Sequence, residues 1–222
     1  MSTFNTPEPI SAVLDIPAGR IELVAADRAD TAVEVRPADP SKSRDVKAAE
    51  EAKVGYADGV LRVEIAAKKQ YFGPSGYVAV KVELPAGSQV EVKVASSELR
   101  STGRLGDVAI NSAHGSIDLE DVASARLTLT AGDVSIGRLN GSAEIRTSKG
   151  DIRIAEAAAG ALELRTDVGE IEVGAAVGVS GSLNAGTTTG RIDNALKNAE
   201  GAGAQLTIHA TTTVGDIVAR SL

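Results

Sequence analysis

The sequence predicts an all-β chain: a β-solenoid of the parallel β-helix kind, with about 17–25 residues per rung, an irregular N-terminal β cap and one short helix. Three observations carry this. A glycine-centred phrase recurs at slowly growing spacing, period-two alternation flanks it, and the apolar residues are almost wholly aliphatic.

The phrase reads GDVAI at 106–110, GSIDL at 115–119, GDVSI at 132–136, GDIRI at 150–154, GEIEV at 169–173, GRIDN at 190–194 and GDIVA at 215–219. Its glycines, Gly106, Gly115, Gly132, Gly150, Gly169, Gly190 and Gly215, are the predicted structural corners. From Gly115 onward the steps are 17, 18, 19, 21 and 25 residues. A drift that slow describes one constant unit with lengthening loops. Glycine suits a corner where the chain needs φ > 0 or a close approach to the next rung.

A second strand precedes each later phrase, as in ARLTLT (125–130), SAEIRT (142–147), ALELRT (161–166), SLNAGT (182–187) and QLTIHA (205–210). One rung is therefore strand, Gly turn, strand, loop. Alternation points Val134, Ile136, Ile152, Ile154, Ile171 and Val173 inward, and Ser135, Arg153 and Glu172 outward. A lone rung cannot bury its inward row, whereas stacking on its neighbours does. Residues 96–222 are assigned to these repeats.

Residues 10–95 are β as well, with alternating segments at 10–16, 20–25, 32–35, 60–65, 77–84 and 89–94. RDVKAAEEAK (44–53), with serines ahead of it as caps, predicts one helix near 43–53. KKQYFGPSGY (68–77) predicts a long hairpin loop. GRIEL at 19–23 already has the form of the solenoid phrase. The region is then either the same sheet system, widened and capping the solenoid, or a separate small sandwich. Residues 1–9 are predicted to be a flexible tail. They lack the basic and apolar regions of a secretory signal, and no run of eighteen apolar residues follows. By default this predicts a cytoplasmic protein with no membrane insertion, a surface location remaining open.

Composition excludes several kinds of chemistry. Apolar residues make up 43% of the chain but aromatics only 2%, which suits narrow layered interiors better than an aromatic-lined pocket. A net charge of −7, with no basic stripe, argues against nucleic acid. The absence of cysteine removes disulfides, thiolate metal sites and a Cys nucleophile.

With these residues laid out, the chain resembles the bacterial "putative adhesin" β-strand-repeat proteins. The likeness rests on VELPAGSQVEVKV (82–94) and the succession of S/T-x-x-G-D/S/E-I/V phrases, and covers most of the chain. It implies a repeat fold and, by the adhesin label, surface exposure. It implies no activity and no catalytic residues. By repeat period alone the chain is also similar to bactofilins, which polymerise end to end.

The recurring polar residues offer candidate chemistry. Asp107, Asp133, Asp151, Glu170 and Asp216 follow corner glycines and could form a carboxylate ladder for Ca²⁺. Each corner offers one carboxylate, Ser116 and Arg191 interrupt the series, and Asp after Gly is ordinary turn chemistry, so the expectation is turns. His114 and His209 are expected on the surface, several rungs apart and unable to share a metal or a triad. Ser112, Thr130, Thr147, Thr166, Thr187 and Thr212 precede the glycines and have no base to activate them. They are expected to bond to corner backbone. Glu144 and Glu163 should share one outward column, Arg146 and Arg165 the next, with Arg153 beside Glu172. No catalytic, cofactor or metal residue is predicted.

The last strand, Ile217, Val218 and Ala219, is expected to form an uncovered end that docks a protein partner or a second copy, unless another segment folds over it. The function predicted is a non-enzymatic structural or interaction module, adhesin-like or scaffold. The alternatives are a carbohydrate-binding or carbohydrate-active β-helix protein, or a cation-binding repeat.

Overall fold

Alternating Val, Ile and Leu give strands over most of the described residues, because such side chains at every second position fit a pleated, half-buried surface. The computed structural model describes residues 1–65 and 76–222. They fall into two units, Met1–Gly115 and Ser116–Leu222.

The first unit contains β1 (Ser2–Asn5), β2 (Ser11–Ala26), β3 (Asp30–Pro37), α1 (Ser43–Glu50), β4 (Lys53–Ala57), β5 (Val60–Glu64), β6 (Val78–Pro85) and β7 (Gln89–His114). The spine is β2. It runs parallel to β7 on one side, from Ser11↔Gln89 to Val24↔Thr102. On the other side it runs parallel to β5 and then β6, with Ala12 level with Leu61 and Ile21 level with Val80. The outer edges of β5 and β6 are covered antiparallel by β4 and β3, and β3 in turn by β1.

Three local expectations change. Residues 2–5 form β1 rather than a flexible tail: Phe4 packs on Tyr56 with ring centroids 5.6 Å apart, and the buried Thr6 hydroxyl meets Thr31 Oγ1 at 2.8 Å. The helix has no serine cap. Lys42 is its N-cap residue, and the Ser41 hydroxyl donates instead to Asp39 Oδ1 at 2.6 Å. Tertiary contact holds α1 in place, since the buried Asp45 in its first turn accepts the Tyr77 N–H at 2.9 Å. The loop expected over 68–77 lies outside the described residues except for Gly76 and Tyr77.

Arg28 belongs to none of the repeated phrases of the sequence. Its mostly buried guanidinium bonds to Asp30 at 2.9 and 3.0 Å and to Glu83. Those hydrogen bonds hold both carboxyls below the usual carboxylate range.

The second unit contains β8 (Ile117–Ala131), β9 (Val134–Leu139), β10 (Ala143–Lys149), β11 (Ile152–Ala157), β12 (Gly160–Val168), β13 (Ile171–Ala175), β14 (Gly181–Thr189), β15 (Ile192–Ala195), β16 (Leu206–Val214) and β17 (Ile217–Ser221). It is a β-solenoid of two parallel ladders. One runs from the second half of β8 through β10, β12 and β16 to β14. The other runs from the first half of β8 through β9, β11, β13 and β17 to β15. Equivalent residues stack level on level: Ile136, Ile154, Val173 and Ala219 form one inward column, and Leu127, Ile145, Leu164 and Ala210 another. All eight are buried.

The order of levels departs from the order of the chain. The last rung in sequence, β16–β17, lies between β12–β13 and β14–β15. Ile217, Val218 and Ala219 are therefore not an edge. They pair with β13 on one side and β15 on the other, with Ile217 and Ala219 each 1% exposed. The reason lies in the inward rows. Leu206, Ile208, Ala210, Ile217 and Ala219 are all apolar, whereas the rung over 181–195 carries Asn194 level with Ala219. Placing β14–β15 outermost leaves that amide in water and spares the cost of burying it.

Truncating the two equivalent isoleucines should therefore give unequal losses. Ile217→Ala should cost about 2–5 kcal/mol, as for a buried aliphatic. Ile192→Ala, at a position 46% exposed, should cost roughly 1 kcal/mol or less. Chemical denaturation of the two variants reads the difference.

Candidate functional site

The repeated corner of the second unit is where the recurring polar residues converge. Gly132, Gly150, Gly169, Gly215 and Gly190 follow one another in that spatial order, each with positive φ. At Gly150 (φ 138°) an added Cβ would fall 2.1 Å from the Gly132 carbonyl oxygen. At Gly169 it would fall 2.0 Å from the Gly150 oxygen. No other residue fits between levels stacked this closely. Gly115 closes the first unit with the same geometry, its Cβ position 1.7 Å from Ser97 O. Gly106 differs: it lies inside β7, outside the left-handed region, and is held to Gly by its approach to the Gly87 oxygen, 2.6 Å from a Cβ.

Three of the acids beside these glycines, Asp133, Asp151 and Asp216, accept backbone N–H groups. Asp133 Oδ1 accepts the Asp151 N–H at 2.9 Å, Asp151 Oδ1 the Glu170 N–H at 2.9 Å, and Asp216 Oδ1 the Arg191 N–H at 2.8 Å. Each carboxylate thus reaches one level along the stack. Arg191 occupies the acid position at the outermost corner, where the described residues hold no further level to supply an N–H. Asp107 lies next to Gly106 within β7. Among the described residues, no three His, Asp or Glu side chains gather as a group that could hold a metal ion.

The hydroxyl column bonds to the same corners. Thr166 donates to Gly150 O at 3.0 Å, Thr212 to Gly169 O at 3.1 Å and Thr187 to Gly215 O at 3.0 Å. Thr147 donates to Lys149 O at 3.2 Å, and Ser112 to His114 O at 3.1 Å. Thr130 is the exception. The register aligns Lys149 with Ala131, which puts Leu129 rather than Thr130 level with Thr147 and leaves Thr130 exposed.

Outward columns carry charge in the expected register. Glu144 is level with Glu163, Arg146 with Arg165, and Arg153 with Glu172. Arg126–Glu144 (3.3 Å), Arg153–Glu172 (3.6 Å) and Arg220–Glu172 (2.7 Å) link adjacent levels, and Arg146–Glu144 (2.9 Å) pairs within β10. These pairs are solvent-facing, so each contributes at most about 1 kcal/mol. His209 is exposed on β16, level with Glu163 and Asn184, and His114 is exposed at the end of β7. The two histidines lie in different units.

A family model described as Toastrack DUF4097 matches residues 13–221. The chain belongs to that family. Among solved structures, this Toastrack chain is similar to a "putative adhesin" from Bacteroides fragilis, with a TM-score of 0.62 at 15% identity over 98% of this chain and 95% of that one. It is also similar to a "putative cell adhesion protein" from Clostridium sporogenes, with a TM-score of 0.46 at 12% identity over 100% of this chain and 98% of that one. The first likeness establishes a shared fold. No curated protein matches the chain. Among the described residues, no helix is long and apolar enough to cross a membrane.

What the sequence reading missed is the outermost level. Two signals were present in it: Arg191 where other corners carry an acid or Ser116, and Asn194 in an otherwise aliphatic column.

The corner geometry makes a sharp comparison. Gly150→Ala should cost at least about 2 kcal/mol through steric overlap and backbone strain. Gly186→Ala, with nothing within 4 Å of its Cβ position, should stay within about 0.5 kcal/mol of the native chain. Thermal melting of both variants checks this.

Proposed function

We propose that this Toastrack chain is a non-enzymatic interaction module, an adhesin-like scaffold whose repeated polar residues serve its own architecture. The observation that carries the reading is the use made of the corner carboxylates and hydroxyls. Asp133, Asp151, Asp216, Thr166, Thr187 and Thr212 each bond to the backbone of an adjacent level. A carboxylate committed to a backbone N–H is poorly placed to serve as a general base or one of the six to eight oxygens that Ca²⁺ takes. What remains is a regular surface of strands and a terminal rung, suited to contact with another macromolecule. The Bacteroides fragilis neighbour described as a "putative adhesin" supports this reading by analogy of fold.

The reading is tested by coupling the 222-residue chain to beads and exposing it to extract from its native host. It expects retention of a protein that free chain competes away, no hydrolysis of arrayed glycans, and no change in melting temperature with millimolar Ca²⁺. Glycan turnover, or a rise of several degrees with Ca²⁺ through ligand linkage, would overturn it.

A further inference from the structure

The β14–β15 level ends the stack with one side of its backbone unpaired among the described residues. Its hydrogen bonds show which groups face outward. The Ile217 N–H donates to the Arg191 carbonyl at 2.9 Å, and the Arg191 N–H donates to Asp216 Oδ1 at 2.8 Å. Arg191 therefore turns its backbone toward β17. Alternation along the strand turns Asp193 the same way, and directs the N–H and C=O of Ile192 and Asn194 to the open side. The Ile192 side chain is 46% exposed, against 1% for Ile217 one level below.

We propose that this edge pairs antiparallel with β15 of a second copy, across a two-fold axis through Ile192. The proposal rests on the interaction-module reading and deepens it by naming the partner. Charge selects the register. With the axis at Ile192, Arg191 stands opposite the partner's Asp193, and Asp193 opposite the partner's Arg191. Two opposite-charge pairs then flank one apolar pair. An axis at Asp193 would set two carboxylates face to face, and one at Asn194 would set Arg191 against the partner's Lys197. Opposite charges across a strand pair stabilise it and like charges destabilise it. The backbone agrees with this choice, because the outward N–H and C=O of Ile192 are the groups that an antiparallel hydrogen-bonded pair exchanges. A two-fold contact of this kind closes on itself as a dimer.

One short strand pair covers little surface, so the dimer should be weak, populated at concentrations on the order of 100 µM and above. Sedimentation velocity over that range, at low salt, is the test. The native chain should shift from monomer to dimer. Asp193→Arg, which sets arginine against arginine in both flanking pairs, should weaken association at least about tenfold. The double reversal Arg191→Glu with Asp193→Arg restores opposite charges in the same register and should recover it. Melting curves confirm that the exposed substitutions leave the fold intact. A native chain that stays monomeric throughout overturns the self-pairing and leaves the bead-capture result to judge the wider reading by itself. A dimer indifferent to Asp193→Arg, or not rescued by the double reversal, overturns it too, by placing the contact elsewhere.

Discussion

Everything in the second unit depends on how closely one level approaches the next at the glycine corner. Parallel strands stack about 4.8 Å apart, and at the corner the carbonyl of one glycine lies where the Cβ of the next would be. This contact fixes the register, because a slip by one residue would bring a side chain into that space and turn the aliphatic row toward solvent. Thr and Asp build on the same point. The Gly150 carbonyl that excludes a Cβ at Gly169 also accepts the Thr166 hydroxyl, while Asp151 beside it accepts the Glu170 N–H. Three neighbouring residues thus bind one level to the next through backbone geometry, a neutral hydrogen bond and a charge-assisted one.

The constraint at the corner fixes register, and the inward row decides which rung lies where. Rungs of equal register compete for each place in the stack, and the chain gives the inner place to the one with the more apolar interior. Burying Ile208, Ala210, Ile217 and Ala219 removes aliphatic surface from water. Burying Asn194 in their stead would strand an amide in an apolar column. The detour through 196–205 is the price of that choice, and loop closure over so few residues costs little.

Much of this was legible in the sequence. The glycine phrase, the inward columns and the outward registers of Glu144 with Glu163 and Arg153 with Glu172 follow from period and alternation, since both are local properties that stacking merely repeats. The inverted level order was not, because adjacency in a solenoid is normally read from adjacency in sequence, and only Asn194 and Arg191 spoke against it. The first unit was harder still. Its levels, β5–β6, β2 and β7, come from distant parts of the chain, and contacts such as Thr6 with Thr31 or Arg28 with Glu83 join residues that no period connects. Thr130 shows the finer limit: one residue of register separates a corner hydroxyl from an exposed one.

The level order can be measured directly, because the chain has no cysteine of its own. Thr207 is level with both Ser182 and Ala161, on opposite sides of β16. Cysteines at 182 and 207, or at 161 and 207, stand one level apart, about 4.8 Å, within disulfide range. Cysteines at 161 and 182 stand two levels apart, beyond the roughly 7 Å limit. Efficient oxidative cross-linking is expected of the first two pairs and none of the third. A disulfide joining 161 to 182, with none joining 161 to 207, would show the rungs stacked in chain order and contradict the inverted one.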